Sequence, residues 1–315
     1  MSQPQPQPHP QETTFRSYTP LESARYAALR QNYHPSVYAA ILTHHKSTGG
    51  QLNHVLDVGC GPGLATVILA ENFAHATGID ASESMIATAR SLGLRTSTGE
   101  VVGFEVSSAE AMEGVVDESV DLICAANAAH WFDMAAFWPR AARALRPGGS
   151  VAVWTSGEIA AHRDTPNSEA VNEAFRRFKE EGLRGFFERG NLLVEGGYRD
   201  LDMPWDIEPA GVEGFERASL WRREWDADSE QFMMGSEVPF TVEVFERMWA
   251  TSSPVTRWRK AHPGAEGTEG DIVRVLRREI EGLLAEVGVP EGEAVLRGTS
   301  AGVVVMVKKV GGESM

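Results

Sequence analysis

Residues 55–64 read Val-Leu-Asp-Val-Gly-Cys-Gly-Pro-Gly-Leu, and residues 78–80 read Gly-Ile-Asp. The first stretch is an apolar run that ends in an acid and three alternating glycines, and the second closes another apolar run on an acid. This order is typical of a strand, a tight turn, a helix and a second strand. Gly59, Gly61 and Gly63 carry no Cβ atom, so the turn can be tight and a bound molecule can touch its backbone.

Such a unit predicts a site for an adenosine-containing cofactor at the carboxyl ends of its strands, where Asp80 can accept hydrogen bonds from both ribose hydroxyls. The dinucleotide fingerprint is G-x-G-x-x-G, whereas the spacing here is G-x-G-x-G. Asp57, two residues before the first glycine, would repel a pyrophosphate but suits a ligand with an ammonium and a sulfonium. S-adenosylmethionine (SAM) is such a ligand. The alternatives are a nicotinamide-dependent dehydrogenase and a turn without any ligand.

The segment from Val55 to Asp80 resembles motif I and the acidic loop of class I SAM-dependent methyltransferases. Four further segments extend the resemblance over nearly the whole chain: Ser107–Ala111, the His-Trp-Phe-Asp run at 130–133, the tyrosine- and arginine-bearing stretch 15–35, and 245–260. The last three are similar to a group that includes trans-aconitate methyltransferases and quinone C-methyltransferases. His34 departs from the group's pattern because it separates Tyr33 from Pro35.

The resemblance implies site residues in three roles. The expected cofactor site consists of Tyr18, Tyr26, Arg30, Asp57, Gly59, Cys60, Gly61, Gly63, Asp80, Ala81, Met85, Ser108, Ala109, Glu110 and Asn127. The expected acceptor site consists of Tyr33, Trp131, Trp249 and Arg257. His130 is the candidate general base, with a packed structural role as the alternative, since attack by a carboxylate or a thiolate needs no base. The alternative for Arg30 is a solvated charge, and the alternative for the aromatic residues is packing in the core.

Composition limits the partners. The formal net charge of −15 argues against a generic affinity for nucleic acid or for anionic membranes. The two cysteines lie in the glycine turn and in an apolar run, and no signal or membrane-spanning segment is visible, which indicates a cytoplasmic protein. The His, Asp and Glu residues lack the tight spacing that would predict a metal site. The sequence leaves the oligomeric state open.

The apolar periodicity predicts a doubly wound, mostly parallel sheet flanked by helices, which the resemblance makes a seven-stranded, Rossmann-like sheet. We expect a disordered tail at 1–14 and a single domain at 15–315, with an N-terminal helical lid at 15–48 and a helical cap insertion at about 160–260. The predicted strands are 54–59, 75–79, 102–107, 120–125, 150–154 and 302–307. The predicted helices include 64–72, 82–90, 133–145 and 269–287.

These observations favour an enzyme that methylates a small molecule. By resemblance, the first expectation for the acceptor is a carboxylate of a small organic acid such as trans-aconitate. The alternatives are O-, N-, S- or C-methylation of a secondary metabolite, and a catalytically silent SAM-binding protein that regulates partners. The aromatic and basic residues of the cap region suit a pocket, and they favour the enzyme.

Overall fold

The computed structural model describes residues 16, 18–227, 231–234, 239–290 and 292–310, without the side chain of Glu158. The predicted disordered tail at 1–14 lies outside the described residues, as does residue 15, the first of the predicted lid.

A seven-stranded sheet forms the centre of the fold, in the order β3-β2-β1-β4-β5-β9-β6. The pairs from β3 to β5 are parallel, and β9 runs antiparallel to both of its neighbours. This confirms the prediction of a doubly wound, mostly parallel sheet. The nine strands of the described chain are β1 His54–Val58, β2 His75–Asp80, β3 Gly103–Val106, β4 Val120–Ala126, β5 Leu145–Ala161, β6 Trp221–Trp225, β7 Phe240–Thr241, β8 Val295–Leu296 and β9 Gly298–Lys308, of which β7 and β8 form a separate pair.

Helices cover both faces of the sheet, because successive side chains of a buried strand point to opposite faces. Leu56 and Val58 of β1 pack in the core that contains α5, whereas Val55 packs in the core that contains α2, α3 and α4. The α-helices are α1 Pro20–Leu29, α2 Pro35–Ser47, α3 Leu64–Ala70, α4 Glu83–Ser91, α5 Met134–Ala144, α6 Ser168–Arg177, α7 Arg189–Glu195, α8 Val242–Trp249, α9 Ser253–Ala261 and α10 Ile272–Ala285.

A third core lies above the carboxyl ends of the strands, and we call the elements around it the cap: α6, the π-helical turn Phe178–Leu183, α8, α9 and α10. The sequence places α10 correctly as a core-facing helix. Its buried residues pack with α6 and α8 in the cap rather than on the sheet. The limits of the predicted domain, lid and cap insertion remain predictions.

Four strands differ from the sequence prediction. β5 extends to Ala161, β6 and the short β7 lie within a region where we expected only helical fragments, and the short β8 was not predicted. The sequence of β6 is Trp-Arg-Arg-Glu-Trp, with three charged residues between its tryptophans. Charged side chains are common on a strand at the edge of a sheet, and they hide the alternation that reveals a half-buried strand.

Both cysteines are free and buried. Within the described part of the chain, no helix has both the length and the apolar character that crossing a membrane requires.

Candidate active site

The glycine turn after β1 forms one end of the site. Gly59 has a φ of +65°, and a Cβ atom there would lie 2.7 Å from the Cβ of Ala128. Glycine is therefore required for both the backbone conformation and the close approach. The turn is fixed by hydrogen bonds that Cys60 N donates to Ile79 O at 3.0 Å and that Gly61 N donates to Asp80 Oδ2 at 2.9 Å.

A cavity of about 370 Å³ opens at this turn, at the carboxyl ends of β1 and β4. Chain order reverses between these strands, and open α/β sheets bind ligands at such a point. The cavity volume lies in the range of small-molecule sites, roughly 300–1,000 Å³. Most of the predicted site residues line it: Tyr26, Arg30, Tyr33, Gly59, Cys60, Gly61, Asp80, Ala81, Met85, Ala109, Glu110, Asn127, His130, Trp131 and Trp249.

The carboxylate of Asp80, at the end of β2, is held in place by the backbone. Oδ2 accepts from Gly61 N, and Oδ1 accepts from Ser82 N at 2.8 Å. A carboxylate oxygen has two lone pairs, so it can accept more than one hydrogen bond. The arrangement suits a vicinal diol such as the ribose of an adenosine.

Asn127 follows β4 in a left-handed conformation with a φ of 50°. Its backbone N donates to Trp154 O at 2.7 Å, and its Oδ1 accepts from Thr155 Oγ1 at 2.6 Å. Positive φ is uncommon for a residue with a side chain, and such residues cluster at functional sites. The hydrogen bonds hold the Asn127 side chain at the cavity wall.

Arg30, directly after α1, brings a positive charge to the cavity wall. Its guanidinium carbon lies 4.9 Å from the centre of the Tyr26 ring. Its Nε is buried and has no hydrogen-bond partner among the described residues. Buried donors are almost always paired, so an acceptor supplied by a ligand fits this position.

His130 lies in a short helical turn after β4, and its Nδ1 is 2.8 Å from the Tyr198 hydroxyl. Burial lowers the pKa of this imidazole to about 3. The ring is therefore neutral at physiological pH and is a weak base. The contact with Tyr198 fits the structural alternative, in which the histidine fixes the loop. The role of His130 as a base stays a prediction.

Five predicted residues do not line the cavity within the described structure: Tyr18, Asp57, Gly63, Ser108 and Arg257. Gly63 precedes α3 with a φ of +88°, and Ser108 Oγ accepts from Ala111 N at 3.2 Å. Tyr18 packs edge-on against Tyr26 with ring centres 6.3 Å apart, and burial raises its pKa to about 12. Tyr18 therefore contacts the cavity wall through Tyr26.

Asp57 is fully buried at the end of β1. Its Oδ2 accepts from Thr66 Oγ1 at 2.5 Å, and its Oδ1 has no partner among the described residues. Burial raises the pKa of this carboxyl to about 7, and the nearby charge of Asp80 adds to the shift. A ligand contact of Asp57 stays a prediction.

Arg257 of α9 connects parts of the cap and its neighbour α7. Its guanidinium donates to Phe186 O at 2.7 Å, to Glu188 Oε2 at 3.0 Å and to Asn191 Oδ1 at 2.5 Å. The side chain is only 16% exposed. These contacts fit a structural role in the cap, and the expected grip on an acceptor stays a prediction.

Several polar residues that the sequence did not reveal also line the cavity, among them Lys179, Asn191, Glu195 and Ser252. Lys179 lies in the π-helical turn of the cap, and its Nζ is 2.9 Å from Glu195 Oε1 of α7. π-helical turns often occur at functional sites, but they have no clear sequence signature. The lysine and the glutamate meet only through the packing of the cap, so no local pattern could have paired them.

No group of three or more His, Cys, Asp and Glu side chains is arranged to hold a metal ion in the part of the chain that the structure describes.

Residues 56–153, which run from β1 into β5, match the model of the methyltransferase domain family. A trans-aconitate 2-methyltransferase from Variovorax paradoxus is 35% identical over 162 residues, which cover 48% of this chain and 56% of that protein. A candidate methyltransferase from Dictyostelium discoideum is 32% identical over 150 residues, which cover 48% of this chain and 53% of that protein.

A solved structure from Anaeromyxobacter dehalogenans, described as a candidate type II methyltransferase, is similar over more of the chain. It superposes with a TM-score of 0.61 at 25% identity, and the match covers 90% of this chain and 99% of that one. The chain spans about half the length of the curated relatives that it matches. These matches confirm the resemblance: the chain carries a class I SAM-dependent methyltransferase domain, and SAM is the cofactor of that domain.

Proposed function

We propose that the whole chain is a methyltransferase that transfers the methyl group of SAM to a carboxylate of a small organic acid. One observation carries the proposal: the same cavity is lined by the glycine turn with Asp80 and by Trp249 of the cap. A cofactor at the glycine turn leaves the part of the cavity at the cap for an acceptor. The relatives named trans-aconitate 2-methyltransferase support an acid as that acceptor.

The described residues fit SAM by two features of the wall. Gly61 has open space within 4 Å of where a Cβ atom would lie, so a ligand can approach its backbone, and Arg30 offers a buried, unpaired Nε–H to a carboxylate. Asp80 would hold the ribose, and Ala109 with Glu110 would border the adenine. When bound, SAM supplies a methyl carbon that its sulfonium makes electrophilic, and transfer of this methyl to an acceptor oxygen leaves S-adenosylhomocysteine.

The protein contributes alignment and exclusion of water. The acceptor has to lie in line with the bond between methyl carbon and sulfur, and such positioning can supply on the order of 7–11 kcal/mol at best. A carboxylate is already ionised at neutral pH, so its attack needs no general base. The weak basicity of His130 is compatible with this reaction.

A second candidate is a neutral secondary metabolite with an apolar body. The observation that favours it is the apolar part of the cap end, which includes Leu183, Phe187 and Met248. The relative named as an O-methyltransferase from Aspergillus sclerotiorum, 32% identical over 160 residues, is compatible with this candidate.

The test is methyl transfer from radiolabelled SAM to a panel of mono-, di- and tricarboxylates that includes trans-aconitate, and to a panel of neutral phenols and thiols. We expect label in an acid ester and none in the neutral compounds. Label only in a neutral product would support the second candidate. Binding of S-adenosylhomocysteine without transfer to any compound of either panel would instead support a catalytically silent protein.

We also expect S-adenosylhomocysteine to slow hydrogen exchange in α1 and in the turn between α8 and α9. The reason is that Tyr26, Arg30 and Trp249 line the same cavity as the glycine turn, so closure over a bound cofactor orders the predicted lid and the cap together. Exchange is measured by mass spectrometry with and without the ligand. The helix α5 surface serves as the internal control, and protection confined to residues 59–63 would contradict closure over the ligand.

A further inference from the structure

Two donors lie together on the turn that joins α8 to α9. Trp249 is the last residue of α8, and Ser252 directly precedes α9. Ser252 N donates to Trp249 O at 2.9 Å, so the two residues belong to one hydrogen-bonded turn. Both line the cavity at the end formed by the cap.

Neither donor has a partner within the described chain. Trp249 Nε1 and Ser252 Oγ are buried and make no hydrogen bond to any described residue. A serine in front of a helix normally caps it, yet the Ser252 side chain makes no capping hydrogen bond to α9. Buried polar groups are almost always paired. An occupant of the cavity is the natural partner for both groups.

The chemistry of the two groups limits what that partner can be. An indole Nε1–H only donates, so the atom against Trp249 has to be an acceptor. The Ser252 hydroxyl can donate as well. Two donors from one turn match a group that carries two acceptor oxygens on one carbon. An ammonium or an amide NH₂ would face the indole with another donor.

Lys179 of the cap also belongs to the cavity wall. The ring of Phe178 packs edge-on against Trp249 with ring centres 5.3 Å apart, and the next residue is Lys179. The Lys179 Nζ donates to Glu195 Oε1 at 2.9 Å and lies 3.2 Å from Glu180 Oε1, so its charge is paired with these carboxylates. Hydrogen bonds to an ionised acceptor are shorter and stronger than neutral ones.

We infer that Trp249 Nε1–H and Ser252 Oγ–H determine acceptor specificity by donating to the two oxygens of a carboxylate of the acceptor. This inference rests on the proposed methyl transfer and adds the residues that recognise the acid. It assigns recognition to the turn between α8 and α9, and it leaves Arg257 of α9 in the structural contacts described above.

The test is carried out on the full chain saturated with S-adenosylhomocysteine. Calorimetry measures the Kd of each member of a carboxylate panel that includes trans-aconitate, for the wild type, Trp249→Phe and Ser252→Ala. Phenylalanine keeps an aromatic ring beside Phe178 and removes the indole N–H. Alanine removes only the serine hydroxyl. We expect each change to weaken binding of the preferred acid about tenfold, as the loss of a hydrogen bond to a charged group does.

Three controls make the result specific. Trp258→Phe changes a cap tryptophan that stacks on His262 with ring centres 4.1 Å apart and does not line the described cavity, so it should leave acid affinity unchanged. The Kd for S-adenosylhomocysteine should stay within about twofold in all variants, because hydrogen bonds to the acceptor do not involve the cofactor. A fully methylated ester of the preferred acid should distinguish the variants far less than the acid does.

Unchanged acid affinity in both Trp249→Phe and Ser252→Ala would overturn the inference, and so would failure of the wild type to bind any acid of the panel. If the wild type binds no acid but transfers label to a neutral compound, methyl transfer remains the proposed activity and only the class of acceptor changes. Absence of transfer to every compound, with acid binding that depends on Trp249 and Ser252, would overturn the methyltransferase proposal and retain the recognition of a carboxylate.

Discussion

Replacement of Asp80 by alanine is expected to lower the affinity for S-adenosylhomocysteine by about 100-fold or more. The carboxylate can accept from both ribose hydroxyls, and each hydrogen bond to a charged acceptor contributes about 1.5–3 kcal/mol. The same oxygens accept from Gly61 N and Ser82 N, so the change also removes one bond that fixes the glycine turn and one at the start of α4. Calorimetry on the purified protein measures the loss.

A graded series separates ligand contact from damage to the turn. Asp80→Asn keeps one acceptor oxygen, and its affinity should lie between the wild type and Asp80→Ala. Asp117→Ala removes a carboxylate that pairs with Arg140 at 3.0 Å and does not line the cavity, so it should leave the Kd unchanged. Wild-type affinity in a folded Asp80→Ala protein would remove Asp80 from the cofactor site.

Much of the cofactor end was predictable because its chemistry is local in sequence. The glycines, Asp80 and the buried strands lie within 26 residues of each other, and their spacing reflects one βαβ unit. Asn127 was predictable for a related reason, since the carboxyl end of β4 has to lie beside that of β1 in a doubly wound sheet.

The cap end was less predictable because its residues meet only in three dimensions. Lys179 and Glu195 come from different helices, and the cap core joins α10 to α6 and α8. Arg257 was predicted to hold an acidic acceptor because it is a basic residue in the cap region. In the fold, its guanidinium already donates to Phe186, Glu188 and Asn191. The sequence around a basic residue does not reveal whether distant parts of the chain already accept its hydrogen bonds.

Asp57 leads to the second large effect, on stability as a function of pH. Burial raises the pKa of this carboxyl from 3.8 to about 7 in the native protein. Between these two pH values the native state keeps a proton that the unfolded state releases, so the free energy of unfolding falls as pH rises. Each pH unit in this window removes about 1.36 kcal/mol, which amounts to roughly 4 kcal/mol over the whole window. Above the native pKa the contribution is fully lost.

The variant Asp57→Asn isolates this effect, because its amide does not ionise while its oxygen can still accept from Thr66. We expect Asp57→Asn to gain stability relative to the wild type by roughly 3 kcal/mol between pH 5 and pH 8, with no further gain at higher pH. Chemical denaturation of both proteins without ligand, at intervals across this range, measures the difference, in which the titration of all other groups cancels.

A second variant tests how the Thr66 hydrogen bond affects the pKa of Asp57. The Thr66 hydroxyl donates to Asp57 Oδ2, and this hydrogen bond favours the ionised form of the carboxyl. Thr66→Val removes the donor while nearly keeping the volume, so the pKa of Asp57 should rise further and the loss of stability should continue to higher pH. If the wild type and Asp57→Asn instead show parallel stability across the range, Asp57 ionises alike in the folded and unfolded chains, and its burial does not control its charge.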